Sequence, residues 1–360
     1  MSAAAGNLLA PTRVVRCGPV SVRIAPRALS VGVSLLLLVL AAAAVHVANG
    51  GSALPLDEVV RALLGDDSNT RVHLAVTEFR APRTVGAIIA GGCLAMAGAI
   101  TQTVARNPLA SPDILGVTAG ASLGAVSVLV LAGGGAAGLS GIAAAAGLPV
   151  AAFTGGVLAG VMVYLFAWSG TLDSYRLVLV GLGVNGLAVS LTTWLLTLGD
   201  VTNAAQALTW MSGSLNGRDW LLVRPMGLLA LALLAGALLL GQRLVLLTMD
   251  DDVAIGLGVR IGGLRLYALI LATLLASTGV VVAGPLVFVA LASPQIARLL
   301  TGAAVPPLFL SGLVGMVFVL VADTVAANAL AVSLPVGVAT AVLGGPYLIF
   351  LVLRNQRRLT

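Results

Sequence analysis

The chain has 360 residues, of which 59% are hydrophobic and only 9% charged, with a formal net charge of +6. A mean hydropathy of +1.10 excludes a soluble globular domain and requires several apolar spans of about 20 residues. All basic residues are Arg and they fall between apolar runs, so they read as orientation signals and not as a nucleic-acid surface.

In chain order the expected class is an all-α polytopic membrane protein of ten spans. A basic segment, 1–27, carries Arg13, Arg16, Arg23 and Arg27 and precedes a first span that is retained, because its apolar run is too long for a signal peptide. The transmembrane domain occupies 28–353, with spans near 28–48, 83–105, 112–133, 143–168, 174–198, 222–242, 264–284, 286–301, 307–330 and 334–353. The eighth is short and interrupted by Pro294, and a weaker helical patch lies at 204–214. A basic tail, 354–360, closes the chain. Placing both termini in the cytoplasm puts thirteen arginines inside and six outside, as the positive-inside bias requires.

The stretch from Arg80 to Ala121 organises the rest. Arg80 and Arg83 flank Pro82, and a Gly- and Ala-rich run follows. The run is closed by Arg106-Asn107-Pro108-Leu109-Ala110-Ser111-Pro112, expected to be a stiff turn against a cavity or partner. Pro82 is expected to hold Ala81 extended and to present the two arginines from an outer corner. They are read as receiving carboxylates from a docking protein, with interfacial anchoring and local pairing to Glu78, Asp66 or Asp67 as the alternatives. Leu109 to Ile114 recurs as Leu291 to Ile296, LASPDI against LASPQI, which suggests inverted halves.

Few residues offer chemistry. Without a lysine there is no Walker loop. His46 and His73 read as surface histidines, and no metal site is expected. Ser212 and Ser214 have no histidine in a later span to activate them. Asp323, inside span nine, is assigned a structural role, bonding backbone amides of a broken helix. Between spans six and seven, Asp250, Asp251 and Asp252 start a short helix ended by Gly256 and Gly258 within about three turns, suited to docking in a partner's groove.

These residues together resemble a known family. Arg80-x-Pro82-Arg83, Gln102, Arg106 to Pro112 and Leu115-Gly116-Val117 with Gly120-Ala121 carry the resemblance in the first half of the chain, and Leu257-Gly258-Val259 opens it in the second. Gly284 to Val289, Pro294 to Arg298, Ala322-Asp323, Leu334 to Val338 and Gly344-Gly345-Pro346-Tyr347 carry it in the second. The chain resembles the FecCD-type permeases, the membrane subunits of ABC importers for ferric siderophores, haem and vitamin B12, with the ferric-enterobactin-type branch favoured. The resemblance implies a type II importer fold that is not itself an enzyme. It implies a second permease chain, identical or homologous, two separate ATPase subunits holding ATP and Mg, and an extracytoplasmic siderophore-binding protein. Iron enters only within the transported chelate, and no cofactor is expected on this chain.

By motif, the resemblance implies a coupling helix at about 248–259, with Asp250, Asp251, Asp252, Ala254, Leu257 and Gly258 facing the ATPase. Asn107 and Leu109 fall on one cytoplasmic gate and Ser174 and Tyr175 near the other. Arg80 and Arg83 face the binding protein. Gln295 stands where many relatives have His, and Ala327 where some place an arginine, which suits a heterodimer. Permeases for vitamin B12 or haem, an ion-driven secondary transporter and a non-transporting scaffold are the competing readings.

Overall fold

The computed structural model describes residues 13–17, 20–24, 26–50, 54–66, 68–131, 142–168, 174–328 and 334–356. The basic N-terminal segment contributes a short antiparallel ribbon, β1 (Arg13–Cys17) with β2 (Val20–Ile24), the one departure from an all-helical chain among the described residues. Helix α1 (Pro26–Ala48) follows, then the short α2 (Leu56–Leu63) and α3 (Thr70–Leu74).

Span two begins earlier than expected. From Thr70 the chain runs helically through a π turn, Ala75–Arg80, into α4 (Ala81–Val104). Ala81 has φ −63° and ψ −48°, so the extended corner expected at Pro82 is not formed. The wide turn explains how the proline is accommodated. An i→i+5 bond to Thr77 O would need an N–H at position 82, which proline lacks. Trp220 Nε1 donates to Thr77 O instead, at 2.8 Å.

α4 is the axis of the molecule: 89% of its most apolar window is buried, against 11% for α1. Burial of an apolar helix on all sides marks it as central. α9 (Trp220–Leu244), α11 (Ile261–Ala283), α12 (Val289–Thr301) and α13 (Leu308–Asn328) pack around it. The contact is backbone to backbone. A Cβ at Gly91 would lie 2.3 Å from Gly315 O, and one at Gly98 1.7 Å from Ala290 O. Where lipid removes the hydrophobic drive between helices, such small residues permit the dispersion contacts that hold them.

A second layer is formed by α5 (Val117–Leu131), α6 (Ile142–Ala167), α7 (Ser174–Leu198) and α8 (Val201–Met211), the last being the patch expected at 204–214. α14 (Val336–Gln356) closes against α13 and α12. Among the described residues, seven helical stretches are long and apolar enough to cross a membrane, and Val117–Leu131 and Val336–Ile349 are shorter apolar ones. With α12, these occupy the ten expected positions. α12 is the short eighth, entered through Phe288 in the left-handed region at φ 68°.

The repeated hexapeptide does not occupy equivalent places. Leu109 to Ile114 is an irregular turn ahead of α5, whereas Leu291 to Ile296 lies inside α12. Pro294 is carried within that helix, and Gln102 on α4 donates to Leu291 O at 3.0 Å. The tertiary environment, not the local word, sets each conformation.

The loop between α9 and α11 is shorter in helix than expected. A 3₁₀ turn, Val245–Thr248, leads to α10 (Asp251–Gly256), under two turns long. Asp250 is its N-cap and Gly258, at φ 80°, reverses the chain after it.

Candidate functional site

Polar side chains gather at two ends of the α4 axis. The rim end holds the C-terminus of α1, the start of α4 and the end of α13. There Asp323, buried within α13, accepts from Arg83 Nε at 2.7 Å and Nη2 at 2.9 Å, and from His46 Nε2 at 2.8 Å. His46 Nδ1 lies 2.7 Å from Thr84 Oγ1, whose own proton goes to Arg80 O at 2.9 Å. Three helices are tied by one carboxylate, in a planar fork that suits a guanidinium.

This cluster corrects three sequence expectations. His46 is buried, not a surface histidine, because its partners lie on two other helices. Asp323 bonds side chains and not backbone amides. Arg83, read from sequence as a docking residue with local pairing as an alternative, pairs with an aspartate 240 positions away.

Arg80 also departs from expectation. It is 8% exposed, and its guanidinium donates to Val47 O at 3.0 Å and Ala48 O at 2.9 Å, the free carbonyls ending α1. Its side chain is thus held at the end of α1, at the wall of the rim cavity. Arg83 remains accessible from a cavity of about 230 Å³ lined by Glu78, Arg83, Arg218, Asp219, Asp323 and Ala327, among others. Arg218 also lines it, and its Nη2 donates to Ser214 O at 3.0 Å.

The loop end is built on the turn after α4. Arg106 adopts φ 47°, a left-handed conformation that costs a non-glycine residue roughly 1–2 kcal/mol. Its side chain offsets that cost. Nε donates to Leu247 O at 2.8 Å, and Nη2 donates to Met249 O at 2.5 Å and Asp251 Oδ1 at 2.6 Å. Arg265 Nη2, on buried α11, donates to the same Oδ1 at 2.8 Å. Burial opposes charge on Asp251, but the Arg106 and Arg265 hydrogen bonds outweigh it and hold its carboxyl below the usual range. Asp251 thus clamps α10 to the turn and to α11.

Of the residues assigned to coupling, Asp252, Leu257 and Gly258 are exposed, as are Val253 and Ile255 beside them. Asp250 is exposed as well, its carboxylate bonded to Asp251 N. Ala254 is fully buried and anchors the segment, which removes it from any contact surface.

In the turn itself, Asn107 Oδ1 accepts from Leu109 N at 2.9 Å, and Leu109 is 40% exposed. The turn is fastened to α7 by Asn185 Nδ2, which donates to Asp113 O at 3.0 Å, while Thr118 bonds the Asp113 carboxylate. Burial pushes the Asp113 carboxyl up, against the lowering hydrogen bonds of Thr118 and Ser111. Behind Asn107 a cavity of about 220 Å³ reaches Gln102, Arg106, Gln295 and Arg298. Gln295 Nε2 donates to Gln102 Oε1 at 2.6 Å, a buried amide pair between α12 and α4. Tyr175 is exposed at the start of α7, and the side chain of Ser174 lies outside the described residues.

The sequence reading missed the roles of His46, Arg106 and Arg265. A histidine within a 23-residue apolar helix was a usable signal, since an intramembrane polar residue needs a partner. Arg106 and Arg265 gave none, because their shared acid is brought by the fold.

Comparison with known proteins identifies the family. Residues 35–354 match the FecCD transport family. The chain is 37% identical over 311 residues to the ferric enterobactin transport system permease protein FepG of Escherichia coli (strain K12), covering 86% of this chain and 91% of that protein. It is likewise 37% identical over 299 residues to the Fe(3+) dicitrate transport system permease protein FecD of the same organism, covering 82% and 91%. A solved structure described as an inward-facing conformation of the metal-chelate ABC transporter type superposes with a TM-score of 0.79 at 26% identity, covering 90% of this chain and 99% of that one.

Proposed function

The chain belongs to the FecCD transport family, and on that footing we propose that it is a permease subunit passing a ferric siderophore inward across the cytoplasmic membrane. ATP and Mg²⁺ are held by two separate ATPase subunits, and a second permease chain completes the pathway. An extracytoplasmic binding protein delivers the chelate at the rim end. The loop end and both termini face the cytoplasm.

The observation that carries this reading is the Asp251 clamp. α10 presents Val253, Ile255 and Leu257 outward, while Asp251 joins it to Arg106 at the foot of the Asn107–Leu109 turn. A displacement of α10 by an ATPase is then transmitted to the turn without an intervening flexible link. Asn107 and Leu109 act as the gate, Ser174 and Tyr175 line the second approach to it, and Asp252, Leu257 and Gly258 contact the ATPase. At the rim, Arg83 and Arg218 supply positive charge for the binding protein. Ala327 lines the same cavity without a charge, so the partner permease supplies the missing arginine in a heterodimer. An ion-driven mechanism would need an acid free to bind its ion, whereas Asp323 already accepts three hydrogen bonds.

The test is reconstitution of the chain with its partner permease, ATPase and binding protein in proteoliposomes. Uptake of ferric siderophore should require ATP and the binding protein. Uptake driven by an ion gradient without ATP would overturn the reading.

A further inference from the structure

A third polar place lies away from both ends of the α4 axis. Between the C-terminus of α9, the segment after α10 and the start of α11 is a groove of about 710 Å³. It is about three times the volume of the rim cavity. Its walls include Leu239, Arg243, Leu246, Arg260, Gly263 and Tyr267. Leu239 is 82% exposed and Tyr267 49%, so the groove opens at the outer side of α9 and α11.

We propose that this groove is a binding site for one anionic phospholipid of the cytoplasmic leaflet. Its phosphate sits between Arg243 and Arg260 and an acyl chain runs along Leu239 and Leu246. Three observations converge on a phosphate. Arg243 and Arg260 make no ion pair among the described residues. The N-terminus of α11 carries no side-chain cap, Arg260 being the N-cap residue. A Cβ added at Gly262 or Gly263 would meet nothing within 4 Å, so the backbone of that first turn is open to a ligand. Ile261 N bonds Val259 O, which leaves the N–H groups of Gly262 and Gly263, at the positive end of a 23-residue helix and beside two guanidinium groups, to form an anion site. The apolar wall distinguishes a lipid from free phosphate, and basic pockets between helices on the cytoplasmic side suit such headgroups. The proposal rests on the orientation given above for the leaflet it names. The groove adjoins α10, so an ATPase subunit is the rival occupant.

The test titrates phosphatidylglycerol, and separately phosphatidylcholine, into the full chain in neutral detergent, with and without its ATPase, and counts bound lipid by native mass spectrometry. The parent should retain one phosphatidylglycerol in preference to phosphatidylcholine. Arg243→Gln with Arg260→Gln should weaken that binding about thirtyfold, from the loss of two interfacial cationic contacts. Gly263→Leu, which enters open space and keeps the charge, should also displace the lipid, so a folding defect in the double variant does not leave the question open. Equal retention of both lipids by the parent, or unchanged phosphatidylglycerol binding in both variants, would overturn the site. Loss of ATPase association with lipid binding unchanged would assign the groove to the ATPase. Binding in detergent is read without reference to sidedness, so an error in the orientation would not produce a negative result here.

Discussion

Replacing Asp323 by Ala probes whether the rim cluster fastens α1, α4 and α13. The substitution removes the acceptor of three hydrogen bonds, two from Arg83 and one from His46. Breaking one side of a buried ion pair costs about 3–5 kcal/mol, because the remaining charge is left without compensation. The Arg83 side chain keeps 21% exposure and adjoins a cavity, so it rehydrates in part, and the lower end, about 3 kcal/mol, is the expected loss. At about 2 °C per kcal/mol for a chain of this size, the melting temperature in detergent should fall by about 6 °C. Reversible unfolding in mixed micelles gives the free energy directly. In a double-mutant cycle, Arg83→Ala and Asp323→Ala should couple by about 2 kcal/mol, because either alone breaks the same contact. Arg83→Met with Asp323→Leu should return most of the stability, since apolar replacement of a buried pair removes the desolvation penalty on both sides. Strict additivity in the cycle would refute the reasoning, leaving Asp323 as an isolated acid.

Arg80→Ala should destabilise the protein by about 1–3 kcal/mol by stranding the carbonyls of Val47 and Ala48, measured by melting, while capture of the binding protein stays intact in the folded fraction. Asp251→Asn should uncouple ATP hydrolysis from uptake in proteoliposomes while leaving ATPase association intact through exposed Leu257; normal coupling would count against the clamp. The same carboxyl carries a pH signature: its folded pKa is depressed, so its contribution is fully present above the unfolded value of about 4 and lost as pH falls through the folded value. The melting difference between parent and Asp251→Asn should therefore be constant from neutral pH to about 5 and close below about 4. Leu109→Ala should make liposomes leaky to small solutes, and tight liposomes would remove Leu109 from the gate. Gly98→Leu should abolish the folded state, since even a Cβ would overlap Ala290 O, whereas Gly183→Ala, which meets nothing, should melt like the parent.

Much was legible without coordinates, because a bilayer imposes its own period. Each span needs a long apolar run, and each break shows as proline, glycine or arginine, so ten spans and their order were written in composition. The central stretch was legible too: a run rich in Gly and Ala is what a helix needs if neighbours are to reach its backbone, and α4 is that helix. The acid-led segment before α11 announced a short helix because carboxylates favour a helix start. The chain could not announce partners separated by many spans. Asp323 meets Arg83 across 240 positions and His46 across 277, and nothing local to any of the three encodes the meeting. Pro82 looked like a corner because the proline rule is local; the π turn beneath it is stabilised by Trp220, 143 positions from the carbonyl it satisfies. LASPDI and LASPQI differ by one residue and fold differently, one as a turn tied to α7 and one as helix against α4. Sequence fixes which segments must leave water; which polar groups then face one another is decided by packing, since each buried group has to find its partner wherever the fold brings one.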